Sequence, residues 1–574
     1  MKTKSLILAG LAVLALVSCN KEKNESPFSE DGDNAYLSVQ IAYANGAATR
    51  GEEDSTNPFY YGSAEENAVK TADFFFYMSD GAYFSHVTQA ISGKGETHAT
   101  TPADGNIEWV GNGVVVLKGL TSTTSPAYMA VVLNGSAKLL SDLEGLSRDE
   151  AHLKVKTTDL AQTVSGTLTN FTMTNAVSSN TNLGDDYCAK LTREMFKETE
   201  AEAASTADVV VAYVERIAAK VTLSVDETAM TATTVGGNKI YKIGAFEIDN
   251  ATGTTKDLYI KIHGWGLNGT TKDSYSFKNI DDSWTTATTS LGFTWNEPTN
   301  FRSYWAESTN YGDATCKYPR TYNNDNTSSL TVYNAASANM PLSYTNYTAC
   351  TAALGENAYC HENTNTFAIL DANNFNTTAT CVLLTAQVVD ATGADQTLFL
   401  YENKYWTEDG YKNRVLAKYI SDVYTDATAT TAVTKDNLVI NDDNDGLVHL
   451  TFDATKTYYK STNTAYTANE VEALLTRAMT EAVGYNDGMM YYSIPIEHLR
   501  NSGTFAANSY AEADYGVVRN HWYNLTVSKI ANLGHGVWTP GETIVPDDND
   551  TKKYYVAAKI NILSWKVVKQ SVEL

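Results

Sequence analysis

Positive charge is scarce in this 574-residue chain: 42 Lys and Arg stand against 67 Asp and Glu, a formal net charge of -25. That balance excludes nucleic acid as a partner, because displacing counterions from phosphates needs clustered Lys and Arg. Cysteine is scarce as well. Cys19, Cys188, Cys316, Cys350, Cys360 and Cys381 include no Cys-x-x-Cys pair, which leaves no zinc knuckle. Setting Cys19 aside, five remain, so in an oxidising compartment at least one thiol stays unpaired; Cys350 and Cys360 are the nearest pair in sequence, and a buried free thiol acting as a small hydrophobe is the expected state. Gly-x-Ser-x-Gly, Walker and dinucleotide motifs are missing, so phosphate and hydride chemistry have no support. Asn441, Asp443 and Asp445 alternate before Gly446 as in a calcium loop, but Phe452 stands where a bidentate Glu is required, and a hairpin turn is expected instead. His498 and His521 lack metal-pair or triad spacing. No enzyme activity, metal or cofactor is expected.

Only 10 prolines occur, while 36 Tyr and 36 Gly accompany abundant Thr and Asn. Tyr and Thr suit pleated sheets, and Gly and Asn suit the turns between them, so the composition points to an all-β chain. Strands are expected at Ala72–Met78, Gly113–Gly119, Ala127–Leu133, Ile240–Ile248, Leu258–Ile262 and Thr380–Val389, with a hairpin joining Leu438–Ile440 to Leu447–Leu450. Two short helices are expected at Ala137–Leu143 and Arg148–Lys154. A longer one is expected where Val471, Leu474, Leu475, Ala478, Ala482 and Val483 keep helical spacing, with a Thr467/Glu470 capping box before it and Gly484 at its end.

Lys2 and Lys4 precede an apolar run from Leu6 to Val17, which is too short for a permanent membrane span but suits a signal-peptide core. It ends in Leu16-Val17-Ser18-Cys19, which resembles a bacterial lipobox with Cys19 as the lipidated residue; an ordinary secretory signal is the alternative. A polar tether rich in Glu, Asp, Asn, Ser and Lys follows, from Asn20 to Asn34.

Two stretches at opposite ends of the chain carry nearly the same strand pattern. Leu37, Val39, Ile41 and Tyr43 alternate with polar or small residues near the start, and Val556, Ala558, Ile560 and Ile562 do so near the end. After Ile562 the apolar phase shifts to Leu563, Trp565 and Val567, then returns to Val572 and Leu574, so the tail is expected to bend or to form two segments. Arg50 and Gly51 lie in a small, polar stretch just after the first pattern, of the kind that proteases nick. The two patterns could occupy the same groove; alternatively, the tail closes a sheet of its own domain.

The order of segments along the chain resembles the major fimbrial subunits, or fimbrillins, of Bacteroidales, in particular the shorter-fimbria Mfa type. The segments are Ala127–Asn134, Phe171–Asn175, Val214–Val221, Tyr304–Ala306, Cys360–Thr364, Met490–Leu499 and, most specifically, Tyr515–Leu525. The resemblance implies two β-sandwich domains of transthyretin-like topology, over residues 51–230 and 231–546. Ahead of them stand a signal peptide (1–19) and a tether with removable first strand (20–50), and after them a donor tail (547–574). It further implies an exported lipoprotein precursor that reaches the outer membrane, an arginine-specific protease that cuts at Arg50, and a filament built from copies of the chain. Accessory anchor and tip subunits are implied as partners, with surface receptors of a host or of other bacteria as adhesion targets. A monomeric surface lipoprotein that binds or processes glycans on aromatic platforms is the competing reading, and it predicts no assembly after trimming at Arg50.

Overall fold

The computed structural model describes residues 33–44, 62–89, 107–121, 123–164, 167–176, 187–251, 253–280, 306–313, 320–321, 332–333, 341–365, 379–498, 515–546, 562–564 and 566–573. The chain is all-β, with a few short helices. The first sheet contains β1 (Asp33–Ala44), β2 (Ala72–Tyr77), β3 (Tyr83–Thr88), β4 (Ile107–Leu120), β5 (Tyr128–Leu133), β6 (Met173–Asn175), β7 (Phe196–Lys197) and β8 (Val210–Arg216). Its path runs β7-β1-β8-β6-β5-β2-β3, and β4 lies along β1.

Every residue of β2 is buried, because the strand is covered on both faces. Phe74 and Phe76 join Leu37, Val39, Val115, Leu117, Val131 and Leu133 in one core. Phe75 and Tyr77 face the other way, against Leu139 and Leu143 of α1 (Ala137–Leu143) and Ala151 of α2 (Arg148–Leu153). Both helices start as their sequences direct. The Ser136 side chain accepts from the Leu139 amide, and Ser147 and Glu150 form a reciprocal capping box.

Two residues after β8 the chain enters a second sheet as β9 (Ala219–Val225). With β10 (Asn238–Glu247), β11 (Thr255–Asn268), β12 (Asn357–Cys360), β13 (Cys381–Val389), β14 (Met489–Pro495) and β15 (His521–Lys529), β9 builds a sandwich. One layer pairs β12, β9 and β15, and the other runs β10-β11-β13-β14. Val221, Leu223, Leu258, Ile260, Val382, Leu384, Ile494, Tyr523 and Leu525 fill the space between the layers.

A separate five-stranded sheet lies between β13 and β14 in sequence, formed by Leu398–Tyr401, Lys404–Trp406, Leu438–Asp442, Leu447–Phe452 and Ala482–Tyr485. It has its own core of Phe399, Tyr411, Val415, Val448 and Leu450. The hairpin expected between Leu438 and Leu450 is present, with residues opposed from Leu438↔Phe452 to Asp442↔Val448.

The helix expected up to Gly484 is shorter than its spacing suggests. Its capping box forms, but the helix spans only Ala468–Leu474, and Ala482–Tyr485 is a strand. The reason is tertiary: Ala482 and Val483 complete a ladder between two neighbouring strands, and backbone pairing there outweighs local helix preference. Gly484 serves contact rather than helix termination, since a Cβ there would lie 2.6 Å from the Trp538 ring. A twelve-residue helix, Glu408–Tyr419, has no counterpart among the expected elements; it buries only Tyr411 and Val415, so its apolar stripe is too sparse to stand out. Cys188, Cys350, Cys360 and Cys381 are buried free thiols, and burial pushes Cys350 and Cys360 up to about 12.

Candidate functional site

β1 is an interior strand, although it lies next to a chain terminus. One edge pairs antiparallel with β4 along its length, including Ala35↔Leu117, Leu37↔Val115, Val39↔Gly113 and Tyr43↔Trp109. The other edge pairs antiparallel with β7 at Tyr36 and Leu37, then parallel with β8 from Val39↔Val210 to Tyr43↔Val214. Ala35, Leu37 and Val39 are at most 2% exposed. They insert among Val115, Leu117, Phe196, Val210 and Ala212. Ile41 and Tyr43 continue the strand in its backbone pairing.

Without β1 this slot would present unpaired N–H and C=O groups on both sides of an apolar trench, a template for another extended chain. Leu37 and Val39 alone contribute about 3–6 kcal/mol at about 1.5–3 kcal/mol per fully buried side chain.

Cys19, Arg50, Gly51, Val556, Ala558, Ile560, Trp565 and Leu574 lie outside the described residues. The rest of the tail forms two strands of the second sandwich. β16 (Ile562–Ser564) contains Ile562 and Leu563, and β17 (Lys566–Glu573) contains Val567 and Val572. β17 runs parallel to β15, with Val567 opposite Trp522 and Val572 opposite Val527, and β16 folds back antiparallel onto it. Within one chain, then, the first strand and the tail occupy different sheets.

Buried charge crosses the junction between the first sheet and the sandwich that follows it. Glu215 and Lys278, both fully buried, form an ion pair at 2.9 Å. Beside them the Arg519 guanidinium pairs with Glu362, also fully buried, and donates to Ser274 Oγ at 2.8 Å and to the Tyr275 carbonyl at 2.7 Å. Burial, reinforced by Arg519, pushes His361 down to about 4. Arg216 donates through Nε to the Glu66 carbonyl at 2.8 Å and through Nη1 to Asn520 Oδ1 at 3.2 Å. Lys220 meets the Glu66 carboxylate at 2.9 Å.

Glu215, Arg216, Lys220, His361, Glu362, Arg519 and Asn520 all come from the segments that carried the family resemblance. The available signal was charge inside apolar strand segments, since buried ionic side chains occur mainly where they are paired. His498 and His521 are structural: His498 Nδ1 lies 2.8 Å from Tyr523 Oη, and His521 Nδ1 lies 2.9 Å from the Arg519 carbonyl. Among the described residues no cluster of His, Cys, Asp and Glu has the arrangement of a metal site.

Residues 484–571 match the family model described as major fimbrial subunit protein type IV, fimbrillin, C-terminal. Solved structures with a related chain course include a fimbrillin, FimA, from Porphyromonas gingivalis, at 12% identity, with 93% of this chain and 96% of that one covered and a TM-score of 0.34. A fimbrial assembly protein from Parabacteroides distasonis matches at 12% identity, over 63% of this chain and 87% of that one, with a TM-score of 0.25. A tip fimbrial protein from Porphyromonas gingivalis matches at 10% identity, over 62% and 80%, with a TM-score of 0.26. No curated protein sequence matches the chain.

Proposed function

We propose that this chain is a fimbrillin-type structural subunit of a surface fimbria with a role in adhesion, a reading supported by the family match over residues 484–571, and that it enters its filament by exchanging one β-strand for another. An arginine-specific protease cuts between Arg50 and Gly51, β1 leaves the first sheet, and the C-terminal tail of a neighbouring copy fills the slot. The tail segment from Val556 to Leu574 supplies the apolar residues, first Val556, Ala558, Ile560 and Ile562, then Leu563, Trp565, Val567, Val572 and Leu574. The carrying observation is the slot: β1 is paired along both edges and buries Ala35, Leu37 and Val39, so its loss would leave a vacancy shaped for a strand.

The order of events follows from tethering. While β1 is covalently attached, its effective concentration at the slot is on the order of millimolar or higher, and a free tail cannot compete. Cleavage converts β1 into a peptide that, once displaced, is diluted away. Export as a precursor lipidated at Cys19 would keep uncut subunits at the outer membrane until the protease acts, and anchor and tip subunits would end the filament at its two extremities.

The test is direct. Trimming the purified chain with an arginine-specific protease should yield ladders by size-exclusion chromatography and filaments by electron microscopy. Arg50→Ala, or removal of residues 557–574, should leave monomers. A chain that stays monomeric after complete cleavage and loss of β1 would overturn the proposal.

A further inference from the structure

Activation by loss of a terminal strand raises a physical problem: the peeling must stop. Once a chain is cut and its first strand pulled away, the residues that follow are the next to fray, because a new terminus has lost its covalent restraint. Here those residues lead into β2, the most completely buried strand of the first core. Unravelling into β2 would destroy the slot rather than open it.

The segment from Gly62 to Thr71 is held far more firmly than an ordinary connection. Its first turn closes on itself: the Ser63 amide donates to Glu66 Oε2 at 2.7 Å, and the Asn67 amide donates to the Ser63 carbonyl at 3.0 Å. The other carboxylate oxygen of Glu66 accepts from Lys220 Nζ at 2.9 Å and from the Tyr359 hydroxyl at 2.7 Å. Arg216 grips the same turn through the Glu66 carbonyl and the Asn67 side chain. Farther along, Asn134 Oδ1 accepts from the Lys70 amide at 2.7 Å, while its Nδ2 donates to the Ala68 and Phe171 carbonyls at 2.8 and 2.7 Å. Glu66 is 1% exposed and Val69 is buried.

The partners come from both sandwiches. Arg216 ends β8, which is the parallel neighbour of β1; Lys220 and Tyr359 belong to β9 and β12 of the second sandwich. Gly62 fits beneath the guanidinium, where a Cβ would lie 2.7 Å from Arg216 Nη2. The turn is thus bound to the strand that loses its partner and to the domain that does not change.

We infer that Glu66, with Arg216, Lys220, Tyr359 and Asn134, forms a clamp that sets where strand release stops: β1 and the cut segment leave, while the chain from Gly62 onward stays fixed. Glu66 is a positioning residue in this scheme, acting on the integrity of the slot through the turn it holds. The inference rests on the strand-exchange reading for its purpose, but not for its test.

Lys70 is exposed and lies just inside the clamped segment, so a lysine-specific protease reports on it. In the intact chain, and in the chain already trimmed at Arg50, cleavage after Lys70 should be slow, as followed by the mass of the amino-terminal fragment. Glu66→Ala should accelerate it by roughly tenfold or more, because three donors, the Ser63 amide, Lys220 and Tyr359, lose their carboxylate acceptor. Tyr359→Phe, which removes one hydroxyl and leaves the ring, should accelerate it by a few-fold, and this milder variant covers the case in which Glu66→Ala does not fold. Equal rates in the wild type and in folded variants would overturn the clamp. Failure of the trimmed wild-type chain to assemble would overturn strand exchange instead, whatever the Lys70 rates.

Discussion

β1 and β17 each lie between two neighbours in their sheets, and those neighbours differ in length. Each runs parallel to a strand of its own domain, β1 to β8 and β17 to β15. β1 is bracketed on both edges, by β4 over its whole length and by β7 and β8 opposite. Among the described residues, β17 has β15 on one edge and the three-residue β16 on the other. Composition differs in the same direction. The inward residues of β1 are Ala35, Leu37 and Val39, whereas Lys566, Val568, Gln570 and Val572 take the register positions opposite the core residues His521, Tyr523, Leu525 and Val527. In sequence, polar residues take every second of those register positions. On the strand-exchange proposal, the strand to be removed is the one flanked along both edges, and the strand to be donated is the one whose second neighbour is short.

Breaking each strand in turn tests the difference. Leu37→Ala should destabilise the uncut chain by about 2–5 kcal/mol, the range for large-to-small changes in a core, and should show in denaturant unfolding of the first sandwich. Val568→Ala should cost less than about 1.5 kcal/mol, since its strand has one full-length neighbour. A tail variant as costly as the β1 variant would remove the asymmetry. A competition sharpens it further. Added to the trimmed chain, a peptide of residues 33–44 should re-enter the slot and block assembly at lower concentration than a peptide of residues 566–574, as measured by filament yield.

β1 was legible in the sequence because its alternation is unbroken and its neighbours are local β-formers; so were β2, β5, α1, α2 and the Leu438 hairpin. The tail's phase shift after Ile562 was legible too, but which sheet received it was not, since register between segments far apart in sequence is set by packing. The clamp was least legible. Glu66 lies in a polar stretch with nothing to mark it, and its partners Arg216, Lys220 and Tyr359 come from up to 293 residues away. Arg216 and Lys220 were noticeable only as charges within apolar runs. Ala482 and Val483 misled for a related reason: helical spacing continued through residues that a distant strand recruits.

Acid separates the clamp from the slot. Glu66 is held below the ordinary glutamate value of 4.5: burial alone would raise it, but Lys220 and Arg216, with hydrogen bonds from Lys220 and Tyr359, outweigh that. A carboxylate depressed in the folded state contributes stability that is fully present above its unfolded pKa and is lost as pH falls through the folded one. The melting-temperature gap between the wild type and Glu66→Gln should therefore be widest above about pH 5 and close as pH drops below 4.5. Leu37→Ala has no such titration, and its deficit should persist across the same range in calorimetry. A gap for Glu66→Gln that is flat with pH would mean that the carboxylate is not what holds the turn.

The smallest expected effect lies where neither strand reaches. Thr467 caps the Ala468–Leu474 helix beside the inserted sheet, its side chain accepting from the Glu470 amide and the Glu470 carboxylate returning a bond to the Thr467 amide at 2.8 Å. Thr467→Ala should cost about 1 kcal/mol through the lost cap. Because the helix packs through Val471 and Leu474 on the core of its own sheet, trimming and filament yield should be unchanged. An assembly defect in Thr467→Ala would mean that the inserted sheet is coupled to the slot, and the contrast between β1 and β17 would no longer account for assembly alone.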